Sequence, residues 1–206
     1  MLQNRMRSVI LCCLLAGSAA AQAPAEFSAV MVQNSHGTIT KELVYSGKSR
    51  MRIEPDSSRT NAPIVLLDFD EGTSYLLMPY QKSFIQISGA EGAPKQRITL
   101  LKPVDPARPC DSLFPNADKN AVPCRNSGQG QLNGRNVTKW VGTLPDGQEG
   151  YVWMDNKLDL IVKLETPGNK VELQDIQEQA QDPELFTIPS GYARIRMGPT
   201  QPAGKE

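Results

Sequence analysis

The sequence predicts a mainly β protein, one antiparallel sheet of about ten strands, on three observations. The stretch from Ile64 to Ile87 alternates in polarity between tight turns. The 16 Gly and 16 Pro of the 206 residues are spread along the chain, which suits short strands and turns. No stretch reads as a long helix. A sheet of that size must close, or curl and be covered, to protect its edges.

The first residues are not part of that sheet. Arg5 and Arg7 form a basic head, Val9 to Ala16 an apolar run, and Ser18 to Ala21 a set of small residues. This is the pattern of a cleaved signal peptide at 1–21, and the apolar run is shorter than the roughly 20 residues a spanning helix needs. Ala23 also fits a cleavage site, but it would leave Pro24 at the new N-terminus. The expected organisation is therefore a leader at 1–21, a single β domain at 22–197 and a flexible tail at 198–206, in an exported, periplasmic or secreted protein. The leader removes two of 22 basic residues and none of 22 acidic ones, leaving 20 against 22. That balance gives no field for nucleic acid. Cys12 and Cys13 fall in the leader, so Cys110 and Cys124 remain. In an exported chain such a pair reads as a disulfide, closing a loop of about 15 residues worth roughly 3 kcal/mol. A metal site would want two more ligands, and His36 is the only histidine.

Strands follow in order. Phe27 to Gln33 is the first, Ser35-His36-Gly37 the turn, and Thr38 to Ser46 the second, with Ile39, Leu43 and Tyr45 on one side. Ser49 to Glu54 alternates, Met51 and Ile53 inward and Arg50, Arg52 and Glu54 outward. Ile64 to Phe69, Tyr75 to Met78 and Ser83 to Ile87 form a meander broken by Asp70-Glu71-Gly72 and by Pro79 to Lys82. Gln96 to Leu101 fits either a strand or a short helix. Pro103, Pro106, Pro109, Pro115 and Pro123 crowd a stretch too proline-rich for regular structure, and a loop of that length usually covers something or functions directly. Strands resume near Gly130 with Asn136 to Thr143, Glu149 to Met154, Leu158 to Glu165 and a segment from Lys170. Asp182-Pro183 reads as the cap and first position of one helical turn. By parity, one face of the sheet carries Met31, Leu43, Tyr45, Met51, Ile53, Val65, Leu67, Phe69, Ile85, Ile87, Trp140, Trp153, Leu160 and Val162. Those residues fit a packed core or the lining of an apolar ligand cavity.

The order of motifs resembles the LolA/LolB-like superfamily of periplasmic lipoprotein carriers, in its uncharacterised exported branches. The matching pieces are Ser49-Arg50-Met51-Arg52-Ile53-Glu54, the segment from Asp68 to Pro79, Asn133-Gly134-Arg135 with Lys139-Trp140, Val152-Trp153-Met154-Asp155, and Asp182 to Tyr192. The resemblance implies a strongly curved sheet forming an incomplete, half-open β-barrel. Few short helices and the disulfide-bridged loop would cover it. It also implies an apolar concave groove for an acyl chain, a lipid or a lipoprotein anchor, and a lid latched by an early-strand arginine. Arg52 falls at that position, with Ile53 where the family carries an aromatic residue. The other reading of Arg52 is a strand residue paired with Glu54 or Glu42.

Two functions follow as expectations. The first is a carrier or sensor of acyl chains or lipids, because burying an aliphatic chain stabilises by about 0.8 kcal/mol per CH₂. The second is a non-catalytic envelope module with a filled interior and a protein partner. No cofactor, metal site or catalytic set is expected. His36 lacks a Ser/Asp constellation, and Asp68, Asp70 and Glu71 read as a solvated hairpin end.

Overall fold

The computed structural model describes residues 26–56, 61–88, 104–110, 124–144 and 146–196. The leader at 1–21, the segment 96–101, most of the proline-rich stretch and the tail at 198–206 lie outside the described residues. Among the described residues twelve strands form. The first six are β1 (Phe27–Ser35), β2 (Thr38–Ser46), β3 (Arg50–Pro55), β4 (Ile64–Asp68), β5 (Thr73–Met78) and β6 (Ser83–Ser88). The rest are β7 (Arg125–Leu132), β8 (Arg135–Thr143), β9 (Glu149–Asp155), β10 (Leu160–Thr166), β11 (Asn169–Glu178) and β12 (Ala193–Ile195).

These strands make one sheet in the order β12-β6-β5-β4-β3-β2-β1-β11-β10-β9-β8-β7. Two meanders, β1 to β6 and β7 to β11, are joined where β1 pairs antiparallel with β11, while β12 adds to β6 in parallel. The expected strongly curved half-barrel is therefore corrected: the sheet is open, with β7 and β12 as its edges. Edge protection comes from the edges themselves. β12 has three residues. β7 is polar, exposed from Arg125 to Gln131, and carries a register shift between Asn126 and Gly128. Short, polar or bulged edges resist pairing with other chains, so closure is not required.

The seam between the meanders is clamped at one end by two turns. His36, at φ 49°, donates its backbone N–H to the Gly168 carbonyl at 2.7 Å, and its ring covers Gly168. A Cβ on Gly168, where φ is +74°, would lie 2.6 Å from the His36 ring. Left-handed backbone and close approach both require glycine here. Gly168→Ala is expected to cost about 1–2 kcal/mol from the backbone alone, read as a lower denaturant midpoint. Adding His36→Ala should return only the part due to the clash.

After β11 the chain crosses the sheet as a strap. The Gln179 N–H reaches the Glu26 carbonyl at 3.1 Å, and the Gln181 N–H reaches the Glu26 carboxylate at 2.9 Å. One 3-10 turn follows at Pro183–Phe186, with the Asp182 carboxylate accepting from the Glu184 N–H at 2.9 Å. The predicted cap and first-turn proline are thus in place. Phe186 lies over Gly47, where a Cβ would stand 2.9 Å from its ring. The strap ends as β12, which brings the C-terminal segment from the β1 side of the sheet to the β6 edge.

Candidate functional site

Residues directly opposed on neighbouring strands share a face, so register assigns each expected site residue. On what we call the core face, Met31 opposes Leu173, Met51 opposes Leu67, Ile53 opposes Val65, and Ser74 and Leu76 oppose Ile87 and Ile85. Val44 joins them opposite Ile53. Beyond β11, Leu164 opposes both Val171 and Val152, and Val152 opposes Trp140. Leu160 lies in the same core cluster, Phe69 packs against it, and Val162 is buried where the β9–β10 register shifts. Leu43, Tyr45 and Trp153 are elsewhere. Their partners are Glu54, Arg52 and the pair Lys139 and Lys163, on the back face.

The core face is filled over its centre. Met31 is 1% exposed, and Met51, Val44 and Val152 are fully buried. Val104, Cys110 and Cys124 pack against this cluster, and Cys110 and Cys124 are disulfide-bonded as expected. The flanks are looser. Val65, Leu76, Ile85 and Ile87 are half-buried on one side, and Trp140, Leu164 and Val171 on the other. The Trp140 indole N–H is sealed from solvent, with no acceptor among the described residues.

Arg52 stands on the back face, opposite Tyr45. Its Nε donates to Glu54 Oε2 at 2.8 Å and its Nη1 to the Leu185 carbonyl at 3.1 Å. The arginine thus makes the expected pair with Glu54 and also ties down the strap. Arg52→Ala is expected to lower stability by about 2 kcal/mol, in the range of hydrogen bonds from charged groups. Amide exchange at Leu185 to Thr187 should quicken while exchange in β1 and β11 does not.

The acidic turn is structural. Asp68, 7% exposed, accepts from the Asp70 and Glu71 N–H groups at 3.1 and 2.9 Å and from Arg50 Nε at 2.9 Å. The Glu71 amide leads in holding its carboxyl below the usual range, and burial opposes this. The same device closes the other meander. Asp155, 1% exposed, accepts from Lys157 and Leu158 N–H at 2.9 Å each and from Arg135 Nε. Arg135 Nη2 also reaches Glu178 at 2.8 Å, and Lys157 Nζ meets Glu178 at 2.6 Å.

The sequence reading missed a row on the back face. Lys139, Trp153 and Lys163 are register partners across β8, β9 and β10. The Lys163 ammonium lies 4.0 Å and the Lys139 ammonium 5.0 Å from the Trp153 ring centroid, and Lys139 is 4.3 Å from the Tyr151 ring. Such contacts hold lysines across aromatic faces. The signal was present, since Lys139 and Trp140 are adjacent in a strand and must face opposite ways.

Neither a protein-family model nor a curated protein matches this sequence. Solved structures match in fold. An uncharacterized conserved protein from Thermus thermophilus has a TM-score of 0.53 at 10% identity, over 84% of this chain and 91% of its own. MucB gives 0.52 at 14% identity, over 82% of this chain and 59% of its own. The chain shares its fold with MucB. The Pseudomonas aeruginosa MucA/MucB complex matches likewise, at 0.50 and 13% identity, over 80% of this chain and 56% of that one. This chain thus spans under three fifths of MucB. It spans 32% of PNGF-II, which overlays at 0.50 and 12% identity over 84% of this chain. A LolA superfamily protein from Nitrosomonas europaea gives only 0.35 at 12% identity, over 80% of this chain and 90% of its own. At that score the overlay carries no weight, so the LolA/LolB-like expectation narrows to the sheet fold shared with MucB.

Proposed function

We propose that this chain is a non-catalytic, partner-binding module of the cell envelope, exported to the periplasm. The observation that carries the reading is the fold shared with MucB, a protein solved in complex with MucA(peri). One surface feature supports it. Tyr and Trp are enriched at interfaces, and here Tyr151 and Trp153 stand half-buried on the back face, with Lys139 and Lys163 against the Trp153 ring. The test is in vivo cross-linking followed by purification. One discrete envelope protein should be recovered with the wild type and lost with Tyr151→Ala/Trp153→Ala, compared at a temperature where circular dichroism shows both proteins folded. Equal recovery with both proteins would sink this surface.

A second reading keeps the acyl chain or lipid ligand. The half-buried apolar residues Val65, Ile85 and Ile87 on one flank of the core face, and Trp140, Leu164 and Val171 on the other, favour it. Aliphatic burial there would hold a chain without charged contacts. Native mass spectrometry of the purified mature protein should then show bound acyl species, and a fluorescent fatty-acid probe should titrate. A clean apo mass with a flat titration would remove this reading and leave the first intact.

A further inference from the structure

We infer that the indole N–H of Trp140 is the polar anchor for an acyl chain carrying an acceptor oxygen in its head, as carboxylate or ester. The inference rests on the acyl-binding reading above. A buried donor without an acceptor is rare in folded proteins, because it forfeits its bond to water and gains nothing in return. Trp140 is the one described residue whose buried side-chain donor is in that state. Its surroundings fit an aliphatic body. Along its rung stand Val152, Leu164 and Val171, all on the core face. On the next rung Gly142 opposes Gly150, so β8 and β9 add no side chain there, and both glycines are themselves buried. A peptide laid on that rung would bring several N–H groups to an apolar surface that offers them no side-chain acceptor. An acyl chain brings no donor, and one carbonyl oxygen suffices for the one indole.

The experiment uses the two indole signals of the full-length mature protein, which has only Trp140 and Trp153. Trp140→Phe keeps one six-membered aromatic ring and deletes the donor together with part of the indole's volume, so it also assigns the signals. With palmitate or monopalmitoylglycerol as probe, the Trp140 indole proton should move downfield on binding and the Trp153 proton should not. The probe that does so distinguishes a free acid from an ester-linked chain. Trp140→Phe should bind that probe about 3- to 10-fold more weakly. A wild type that binds neither probe would end both the acyl reading and this one. Binding that is equal in wild type and Trp140→Phe would spare the acyl reading and remove Trp140 as its anchor.

Discussion

Arg135→Met should be among the most destabilising single substitutions in this fold, at about 3–5 kcal/mol measured by urea unfolding at neutral pH. Breaking a buried pair costs that much because the remaining charge stays desolvated. Asp155 is 1% exposed and would keep only the amides of Lys157 and Leu158. Arg135 is 19% exposed, so water entering the gap favours the lower end. Arg135→Met/Asp155→Leu should recover most of the loss, since an apolar pair of similar volume needs no compensation. Failure of the double variant to recover would show that the pair also positions the β7–β8 turn. That turn is where the Asn133 amide reaches Glu172 at 3.1 Å.

The same network sets an acid limit. Burial alone would raise the Asp155 carboxyl, but Arg135 and the Leu158 and Lys157 amides more than reverse it, and the net direction is down. Glu178 is lowered mainly by Lys157 and then Arg135. For Glu172 burial again opposes the lowering, which comes from Lys170, Asn133 and Gln174. Groups lowered in the native state bind protons more tightly when unfolded. Their stabilisation is complete above the ordinary carboxylate range near pH 4, and it fades as pH falls through the lower native values. In Arg135→Met the burial of Asp155 is unopposed by the guanidinium, so less of the acid-dependent loss should remain. The check is a set of urea midpoints from pH 7 to 3.

Local alternation predicted the strands well and their faces less well. Met51 and Ile53 could be placed because β3 alternates cleanly, whereas β4 is apolar from Ile64 to Leu67, and only its pairing with β3 separates Val65 and Leu67 from Leu66. On β2 the parity of Ile39, Leu43 and Tyr45 outnumbers Val44, yet Val44 is the fully buried core residue. The strap explains the inversion. It crosses the back face at Arg52, beside Tyr45 and Leu66, so apolar side chains there also find cover. With both faces part-buried, apolar count no longer marks the core. Trp140 and Trp153 were expected on one face, but register places them on opposite faces. β7 has no apolar residue before Leu132 and exists as the hydrogen-bonding partner of β8. Openness was beyond local reading because it depends on the β1–β11 seam, a contact between distant segments. The networks at Arg50–Asp68 and Arg135–Asp155 were out of reach for the same reason, except that each aspartate ends a strand just before a turn.

Reducing the Cys110–Cys124 bridge is expected to cost about 3 kcal/mol, the chain-entropy value for a loop of roughly 15 residues. In a domain of this size that corresponds to about 6–12 °C in Tm. The bridge also fastens packed residues. Cys110 is 5% exposed within the core cluster, Pro109 is fully buried, and Val104 donates its N–H to the Asp159 carbonyl at 2.8 Å. Residues 104–110 therefore have contacts of their own, independent of the sulfurs. Two measurements separate the contributions. Wild type in reductant keeps both sulfurs and loses only the crosslink, whereas Cys110→Ala/Cys124→Ala also removes core volume. If the crosslink dominates, both should melt alike, with the alanine variant lower by no more than about 1–2 kcal/mol for one buried and one half-buried cysteine. If the reduced protein melts with the oxidised one, residues 104–110 are held by packing, and the bridge constrains chain that contributes little to the cooperative unit. In the first case amide exchange at Val104 should rise on reduction, because the segment then leaves the core face more often.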